Sequence, residues 1–259
     1  MKQSDYLKVL KLAKRTLEES QNWGEDELYK APVKNISLPV QPQATELKNN
    51  NKLSVEELKN KVLNCKDCAL GKTRLNAVFG EGSSSAEIMF VGEGPGFDED
   101  HQGRPFIGKA GQFLTNLIEL MGYSRDSVYI ANIVKCHPMK DPSNPELRGN
   151  DRPPTDLEVS ECSKYLEAQI AAINPKVIIT LGKPSARYFL KTDMAMGAIR
   201  GQFRDYNGIK LMPTYHPSYL IRNGCVFGKK DQGQEVTKLK KEVWTDLKKV
   251  MDYLKTGKI

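Results

Sequence analysis

Residues 87–97 read EIMFVGEGPGF, a short apolar run that ends in a glycine-rich turn. The apolar run has the length of one buried β-strand, and a helical pattern follows the turn. Three further apolar runs lie downstream, and helical patterns separate them. Strands that alternate with helices are typical of a mostly parallel sheet with helices on both faces. Because functional residues gather at the carboxyl ends of such strands, the turn marks the place to search for a site.

The alternation extends over most of the chain. The predicted strands are 87–92, 127–134, 176–182 and 209–216, and the predicted helices are 111–122, 156–173, 184–190 and 236–254. An earlier helix is predicted to start at a capping box formed by Ser54 and Glu57, and it leads into the first cysteines.

The N-terminal part of the chain has a different composition. Residues 1–29 predict a helical extension, and residues 30–52, rich in Pro, Asn and Gln, predict a flexible linker. Residues 53–259 then form the predicted folded domain. The extension is a candidate for binding an unknown protein partner, and packing on the core is the alternative.

Composition and charge narrow the class of protein. The chain has 259 residues and a formal net charge of +7. No run approaches the roughly 18–20 consecutive apolar residues of a membrane span. The charged N-terminus is too polar for a secretion signal, which predicts an intracellular protein. A basic protein of this kind is a reasonable partner for a polyanion such as nucleic acid.

The glycine-rich turn does not match the known phosphate-binding loops. A dinucleotide fingerprint requires Gly or Ala where Phe97 stands, and Pro95 lacks the N–H that could hold a phosphate. The turn is also not followed by the Gly-Lys-Ser/Thr of a P-loop. A plain tight turn is the structural alternative.

Polar residues at the ends of other strands indicate a site for a flat base. Asn132 ends the second strand, and its amide offers the donor and acceptor that match uracil but not cytosine. Phe106 could stack on the base, while the glycines let the backbone approach it. His216 ends the fourth strand and could stabilise charge on a departing base oxygen. Each residue alone also fits an ordinary cap, turn or core role.

The cysteines form a separate pattern. Cys65 and Cys68 make a C-x-x-C, Cys136 follows the second strand, and Cys162 lies on the next helix. In a reducing compartment such cysteines are expected to be metal ligands or free thiols. Four thiolates suit zinc and a [4Fe–4S] cluster equally by count. Cys225 stands outside the pattern and is predicted to be a free thiol.

Together these motifs resemble the family 4 uracil-DNA glycosylases, the iron–sulfur branch of that superfamily. The matching stretches are CKDC (65–68), VGEGPGFDED (91–100), GRPFIGKAGQFL (103–114), YIANIVKC (129–136), VIITLG (177–182) and YHPSYLIRN (215–223). The resemblance runs in order over about 65–255 and leaves out the N-terminal part. The combination is specific, although no single stretch would be.

The resemblance implies a three-layer α/β/α fold around a central four-stranded parallel sheet. It implies an enzyme that flips deoxyuridine out of DNA and hydrolyses the N-glycosidic bond, leaving an abasic site for base-excision repair. Uracil-containing DNA is then the partner of a cytoplasmic, nucleoid-associated monomer. A non-catalytic DNA-binding module of the same fold, in a replication or repair assembly, is the main alternative. A zinc hydrolase is a third, disfavoured because no Asp and His set completes an open zinc site.

The same resemblance assigns roles to individual residues. The turn surrounds the flipped base, an aromatic ring stacks on it, an amide reads its edge and a histidine supports the leaving uracil. The uracil-binding residues so implied are Gly92, Glu93, Gly94, Phe106, Asn132 and His216, of which Glu93, Asn132 and His216 are the catalytic ones.

Water activation is one point at which the chain departs from the best-known members of the superfamily. Gly94 stands where those enzymes carry an Asp. Glu93 or an acid of the run 98–100 is therefore expected to aid the water, and the alternative role of Glu93 is to brace the turn. Stabilisation of the leaving uracil then supplies most of the rate enhancement.

The loop after the HPS motif is expected to enter the minor groove. Its DNA-binding residues are Ser218, Tyr219, Leu220 and Arg222, with Tyr219 or Leu220 as the wedge. The candidate phosphate contacts are Lys135, Lys183, Arg187, Arg200 and Arg222, and a solvated surface charge is the alternative for each.

The resemblance favours a [4Fe–4S] cluster over zinc. Its ligands would be Cys65, Cys68, Cys136 and Cys162, and its role would be structural. The segment between Cys136 and Cys162 is about ten residues longer than is usual for the family, and it predicts a polar surface loop. His137, next to Cys136, is expected to be a phosphate-binding or surface residue, with a metal ligand as the alternative.

Overall fold

The structure is a computed structural model, and it describes residues 54–227 and 233–259. The predicted extension at 1–29 and the predicted linker at 30–52 lie outside these residues. None of the helices in the described ranges combines the length and apolarity that crossing a membrane requires.

Helices and strands alternate along the described chain, and their bounds lie close to the predicted ones. The helices are α1 (Val55–Asn64), α2 (Ala69–Thr73), α3 (Phe97–Gln102), α4 (Lys109–Leu120), α5 (Asp156–Ile173), α6 (Lys183–Leu190), α7 (Met196–Ile199), α8 (Pro217–Arg222) and α9 (Gln234–Thr256). The strands are β1 (Glu81–Gly82), β2 (Ile88–Gly92), β3 (Tyr129–Asn132), β4 (Val177–Leu181), β5 (Arg204–Tyr206) and β6 (Ile209–Thr214).

The strands form one sheet in the order β1-β3-β2-β4-β6-β5. Its centre consists of β3, β2, β4 and β6, which pair in parallel as predicted. The central four-stranded parallel sheet is confirmed, and β1 and β5 extend it to six strands with antiparallel edges. These edge strands have 2 and 3 residues. Strands so short and polar carry no apolar run that sequence periodicity could detect.

The alternation of side chains along the central strands produces the three predicted layers. In β2, Ile88 and Phe90 pack into the core formed with α4 and α9. Met89 and Val91 point to the opposite face, into the core formed with α5 and α6. A strand that is buried on both faces reads as a continuous apolar run, which is why this one could be recognised in the sequence. The α/β/α sandwich is confirmed.

The first described helix brings the C-x-x-C to the sheet. Its capping box is present, with the Ser54 hydroxyl accepting from the Glu57 backbone N–H at 3.2 Å. Leu58 and Val62 on its buried face pack beside Tyr165 of α5. Because α1 ends directly before the C-x-x-C, this packing holds those cysteines beside α5, the helix that carries Cys162.

The register of the parallel strands places the predicted site residues next to one another. Gly92 is the partner of Asn132 across β2 and β3. On the other side, Leu181 is the partner of Thr214 across β4 and β6, two residues before His216. The carboxyl ends of three strands therefore bring the turn, the amide and the histidine to one edge of the sheet.

We predict that Ile179→Ala in β4 lowers the free energy of unfolding by about 2–5 kcal/mol, because it leaves a cavity in a close-packed core. Ile179 is fully buried. Leu157→Ala is the matched control, since Leu157 is 68% exposed and its loss should change stability by less than about 0.5 kcal/mol. Urea denaturation of identically prepared samples measures both. Equal effects at the two positions would contradict the assignment of the core.

Candidate active site

A pocket of about 440 Å³ opens at the carboxyl ends of the strands. Its volume lies in the range of small-molecule sites. The predicted residues that line it are Glu93, Gly94, Phe106, Asn132, His216, Ser218 and Arg222. The structure thus brings together most of the residues that the sequence analysis singled out.

Gly92 lies behind the pocket, where a side chain could not fit. A Cβ atom there would stand 2.4 Å from both Asn132 Oδ1 and Phe106 Cζ. The amide and the aromatic ring therefore pack directly on the strand backbone. Any larger residue at this position would push one of them out of place, which explains the glycine.

A side chain at Gly94, two residues further along the same turn, would also be too close to its neighbours. A Cβ atom there would lie 2.8 Å from Val134 Cγ2 and 3.6 Å from Pro138 Cδ. An aspartate could occupy this position only if Val134 moved. The local packing thus accounts for the absence of an acid at this point of the turn.

Two acids of the run after the turn, Glu99 and Asp100, accept hydrogen bonds from backbone N–H groups. Glu99 Oε1 accepts hydrogen bonds from the backbone N–H groups of Ile107 at 2.9 Å and Gly108 at 3.1 Å, and its other oxygen accepts from Gly96. Asp100 is fully buried and accepts from the backbone N–H groups of residues 75 and 76. These bonds fix the walls of the pocket.

Glu93 is the acid that remains for chemistry on this turn. Its side chain lines the pocket, and within the described part of the chain no donor bonds to its carboxylate. Burial raises the pKa of the Glu93 carboxyl. The carboxylate is therefore unpaired and partly desolvated, which are conditions that suit a group acting on a water molecule.

Phe106 forms a wall of the pocket with an unusual backbone conformation. Its φ is 49°, in the left-handed region that residues other than glycine rarely adopt. Arg125 Nη1 donates to the Phe106 carbonyl at 3.0 Å, and Arg125 Nη2 donates to the Pro105 carbonyl at 2.7 Å. The buried ring lies 5.8 Å from the His216 ring, at an interplanar angle of 38°. Strain held in place in this way is typical of binding sites.

Asn132 lines the pocket, and its side-chain oxygen is buried against the β2 backbone. The side chain is 1% exposed, and Oδ1 has no hydrogen-bond partner among the residues that the structure describes. A buried acceptor without a donor costs about 1–3 kcal/mol. A ligand that offered an N–H group at this point would remove the cost, so the amide is arranged to read a donor and an acceptor side by side.

His216 is held in one tautomer. The Ser218 backbone N–H donates to His216 Nδ1 at 3.1 Å, and the Ser218 hydroxyl lies 2.7 Å from the same nitrogen. Since a backbone N–H can only donate, Nδ1 is the acceptor and the ring proton lies on Nε2. Burial and the positive charge of Arg222 lower the pKa of His216 to about 4. The imidazole is therefore a neutral donor at physiological pH.

The structure divides the predicted DNA-binding loop into exposed and buried residues. Leu220 is completely buried in the core, whereas Tyr219 is 38% exposed. The proposal of Leu220 as a wedge is wrong for this arrangement, because its side chain packs inward from the short helix α8. Tyr219 remains the candidate, with Ser218 and Arg222 at the pocket.

Two of the predicted phosphate contacts are wrong. Lys135 is fully buried, and its ammonium donates to the Asn132 carbonyl and to Gln169 Oε1, each at 2.6 Å. Arg200 is paired with Asp246. Lys183 and Arg187 are exposed and stay candidates.

The long segment after Cys136 contributes to the site, which sequence reasoning missed. The pocket residues that it supplies are Pro138, Asp151, Arg152, Pro153 and Pro154. The segment folds back on itself, and an antiparallel β-bridge joins Met139 to Asp151. Arg148 reaches back to α3, 3.1 Å from Asp98 and 4.3 Å from the centre of the Phe97 ring. The segment is polar at the surface as predicted, but it also forms one wall of the pocket.

His137 anchors this segment from inside the protein. The ring is 1% exposed, with Nε2 2.7 Å from Asp151 and Nδ1 3.5 Å from Asp100. Burial opposes protonation, yet the two carboxylates raise the pKa of His137 to about 9. The prediction of a surface or phosphate-binding residue is therefore wrong.

The four patterned cysteines line one small cavity. Cys65, Cys68, Cys136 and Cys162 meet there. N–H groups point at two of the sulfurs: Arg74 Nη1 lies 3.0 Å from Cys136 Sγ, and the Lys135 backbone N lies 3.2 Å from Cys162 Sγ. Such donors stabilise thiolates, so the surroundings suit ligands of a positively charged group.

The thiols of this cavity can be compared with the ligands that zinc and an iron–sulfur cluster require. In the described ranges no three Cys, His, Asp or Glu side chains converge as the ligands of one metal would. Zinc requires its sulfur ligands at about 2.3 Å from one centre. In a four-iron cluster each thiolate binds a different iron, so the ligands stand farther apart. Four cysteine thiols around one cavity are a ligand set that either group can use.

Comparisons with known proteins place this site in a family. Residues 79–248 match the family described as the Uracil DNA glycosylase superfamily. The chain belongs to this superfamily. Its relatives include the type-4 uracil-DNA glycosylase of Saccharolobus solfataricus, 45% identical over 179 residues, which covers 66% of this chain and 78% of that protein.

Two further relatives extend the likeness. The type-4 uracil-DNA glycosylase of Sulfurisphaera tokodaii is 39% identical over 214 residues, covering 79% of this chain and 92% of the relative. That of Thermotoga maritima is 43% identical over 171 residues, covering 65% of this chain and 84% of the relative. The family resemblance predicted from the motifs is confirmed.

We predict that His216 stays neutral as its Nε2–H tautomer down to about pH 4, since burial disfavours the charged ring. Nitrogen-detected NMR over a pH series measures both the tautomer and the midpoint. The sequence has 3 histidines, and His216→Gln identifies the signal. His101 serves as the internal comparison, because its bonds to the Phe97 carbonyl and Glu146 raise its pKa. A midpoint near 6.5 for His216 would contradict the assignment.

Proposed function

We propose that the chain is a uracil-DNA glycosylase that flips deoxyuridine out of DNA and hydrolyses its N-glycosidic bond. The single observation that carries this proposal is the buried, unpartnered Asn132 amide oxygen in a pocket that also holds a neutral histidine. The superfamily membership supports the same activity. The products are free uracil and an abasic site in DNA.

Recognition rests on the edge of the base. The Asn132 oxygen accepts from uracil N3–H, and its amide N–H donates to uracil O4. Cytosine presents an acceptor at N3 and a donor at N4. The Asn132 oxygen would then face another acceptor, and the Asn132 NH₂ group would face another donor. Because these groups are buried, the mismatch leaves them unpaired and excludes cytosine strongly. The Phe106 ring supports the flat face of the base.

Catalysis rests on the leaving group. As the bond from C1′ to uracil N1 breaks, its electron pair moves onto the base and negative charge collects at O2. His216 Nε2–H is placed to donate to that oxygen, and a neutral donor fixed in advance stabilises the charge without rearrangement. A water oxygen then bonds to C1′, and the proton that this water releases neutralises the departed uracil anion through solvent. Glu93 is the candidate to orient this water, because the neighbouring acids hold backbone groups.

We infer that a [4Fe–4S] cluster is bound by Cys65, Cys68, Cys136 and Cys162. When bound, such a cluster supplies four iron–thiolate bonds that cross-link the chain. Here they would join the end of α1 to α5 and to the segment after β3. Asn132 lies four residues before Cys136, so the cross-link would steady the reading amide. Hydrolysis requires no redox step, and the role is structural.

We also infer that the enzyme works as a monomer on the DNA of the nucleoid. The monomer is what the family resemblance implies, and the catalytic candidates Glu93, Asn132 and His216 share one pocket. A non-catalytic DNA-binding module is the second function considered. The retention of the amide, the aromatic ring and the histidine in one pocket favours the enzyme.

We predict that Asn132→Ala and His216→Ala each lower the single-turnover rate of uracil excision about 10²–10³-fold, since each removes a group that stabilises the transition state. The assay incubates the protein with a uracil-containing oligonucleotide and cleaves abasic sites with alkali. Asn60→Ala is the control, because Asn60 is an exposed residue of α1. No cleavage by the cluster-loaded wild type would overturn the proposed function. Near-normal rates in both variants would overturn the site assignment.

We predict a brown protein with broad absorbance near roughly 400 nm, as iron–thiolate clusters give. Cys136→Ala should lose the absorbance and the iron, because it removes one ligand. Cys225→Ala should keep the absorbance and the iron. Cys225 lies in the core formed with α4 and α9, with its sulfur 3.9 Å from the Val236 carbonyl oxygen. Iron analysis and absorbance of anaerobically purified samples measure the outcome. A colourless wild type loaded with zinc would refute the cluster.

A further inference from the structure

Asp246 is a buried acid that the pocket chemistry leaves unexplained. It lies on α9 with no exposed surface. Its carboxylate accepts from the Thr214 hydroxyl at 2.7 Å and from Arg200 Nε at 3.0 Å. A buried carboxylate is costly unless it is paired, and here the pairing fixes the position of the Arg200 guanidinium.

Arg200 makes a second hydrogen bond to the backbone, and its guanidinium lies over the ring of Tyr215. Its Nη2 also donates to the Glu242 backbone carbonyl. The guanidinium carbon lies 5.4 Å from the centre of the Tyr215 ring. Arginine over an aromatic face is a favourable arrangement, and it restricts the ring.

Tyr215 packs against Tyr219, the residue of this loop that is the candidate to contact DNA. Its ring stacks on the Tyr219 ring at 5.1 Å between centres and 28° between planes. Tyr219 is the exposed member of the pair, and it stands on α8 beside the pocket residues Ser218 and Arg222. A surface tyrosine would ordinarily sample several rotamers, and the stack selects one.

We propose that Asp246, Arg200 and Tyr215 are positioning residues that hold Tyr219 ready to fill the space left by the flipped base. The inference rests on the proposed function. A side chain that enters a base stack loses its rotational freedom on binding, and ordering it beforehand lowers that cost. The benefit applies to duplex DNA, where an extruded base leaves a gap. A single strand has no opposing strand to hold such a gap open.

The test is a double-mutant cycle on Tyr215 and Tyr219. Its readout is the ratio of the excision rate on duplex DNA to the excision rate on single-stranded DNA. Single-turnover excision is measured on a uracil-containing duplex and on the same uracil strand alone. Tyr215→Ala and Tyr219→Ala should each lower the duplex to single-strand ratio about tenfold, and the double variant should lower it no further. The reason is that Tyr215 acts only through Tyr219. Fluorescence of 2-aminopurine next to the uracil should show the same loss of base flipping.

Two control variants make the cycle specific. Tyr215→Phe keeps the stacked ring and should restore the wild-type ratio. Tyr253→Ala removes a partly buried tyrosine of α9 that lies 5.3 Å from Phe203, and the ratio should not change. If circular dichroism shows that Tyr215→Ala does not fold, Arg200→Lys replaces it. That variant keeps the Tyr215 ring and should lower the ratio in the same direction.

Each failure has a separate meaning. A wild type that excises uracil from neither substrate overturns the proposed function. A wild type that is active on both, with additive effects of the tyrosine variants or an unchanged ratio in Tyr215→Ala, overturns only the positioning role.

Discussion

The approach of the β2 backbone to Asn132 and Phe106 at Gly92 is the contact on which the site depends. A Cβ atom at this position would stand 2.4 Å from both side chains. The parallel register that pairs Gly92 with Asn132 creates the contact, and the central sheet enforces the register. The glycine-rich turn therefore lets the backbone approach the amide and the aromatic ring, which is the arrangement that the proposed nucleobase site requires.

Charged residues around the pocket chiefly provide structure. Glu99 binds the backbone after Phe106, and Arg125 binds the Phe106 carbonyl, so the left-handed conformation is held from two sides. His137 ties the long segment to the turn through two aspartates. The groups left for chemistry in the pocket are an amide, a neutral imidazole and the unpaired carboxylate of Glu93. Such a pocket favours a base with a defined hydrogen-bond edge and stabilises charge only as it develops.

The sequence predicted the parts of the molecule whose signals are local. Buried strands such as 87–92 are continuous apolar runs, and the Ser54 capping box has a short, fixed spacing. The residues that were misjudged depend on distant partners. Lys135 reads as a surface cation, but its ammonium meets Gln169, which is 34 positions away. Asp151 lines the pocket only because the long segment folds back, and no periodicity in the chain indicates that return.

The central claim is that this pocket reads the edge of uracil through Asn132 and His216. A crystal structure of the protein bound to free uracil tests it most directly. We expect uracil on the Phe106 ring, with N3–H and O4 paired to the Asn132 amide and O2 within hydrogen-bond distance of His216 Nε2. Uracil bound elsewhere, or bound in the pocket with its N3–H and O4 edge turned away from Asn132, would contradict it.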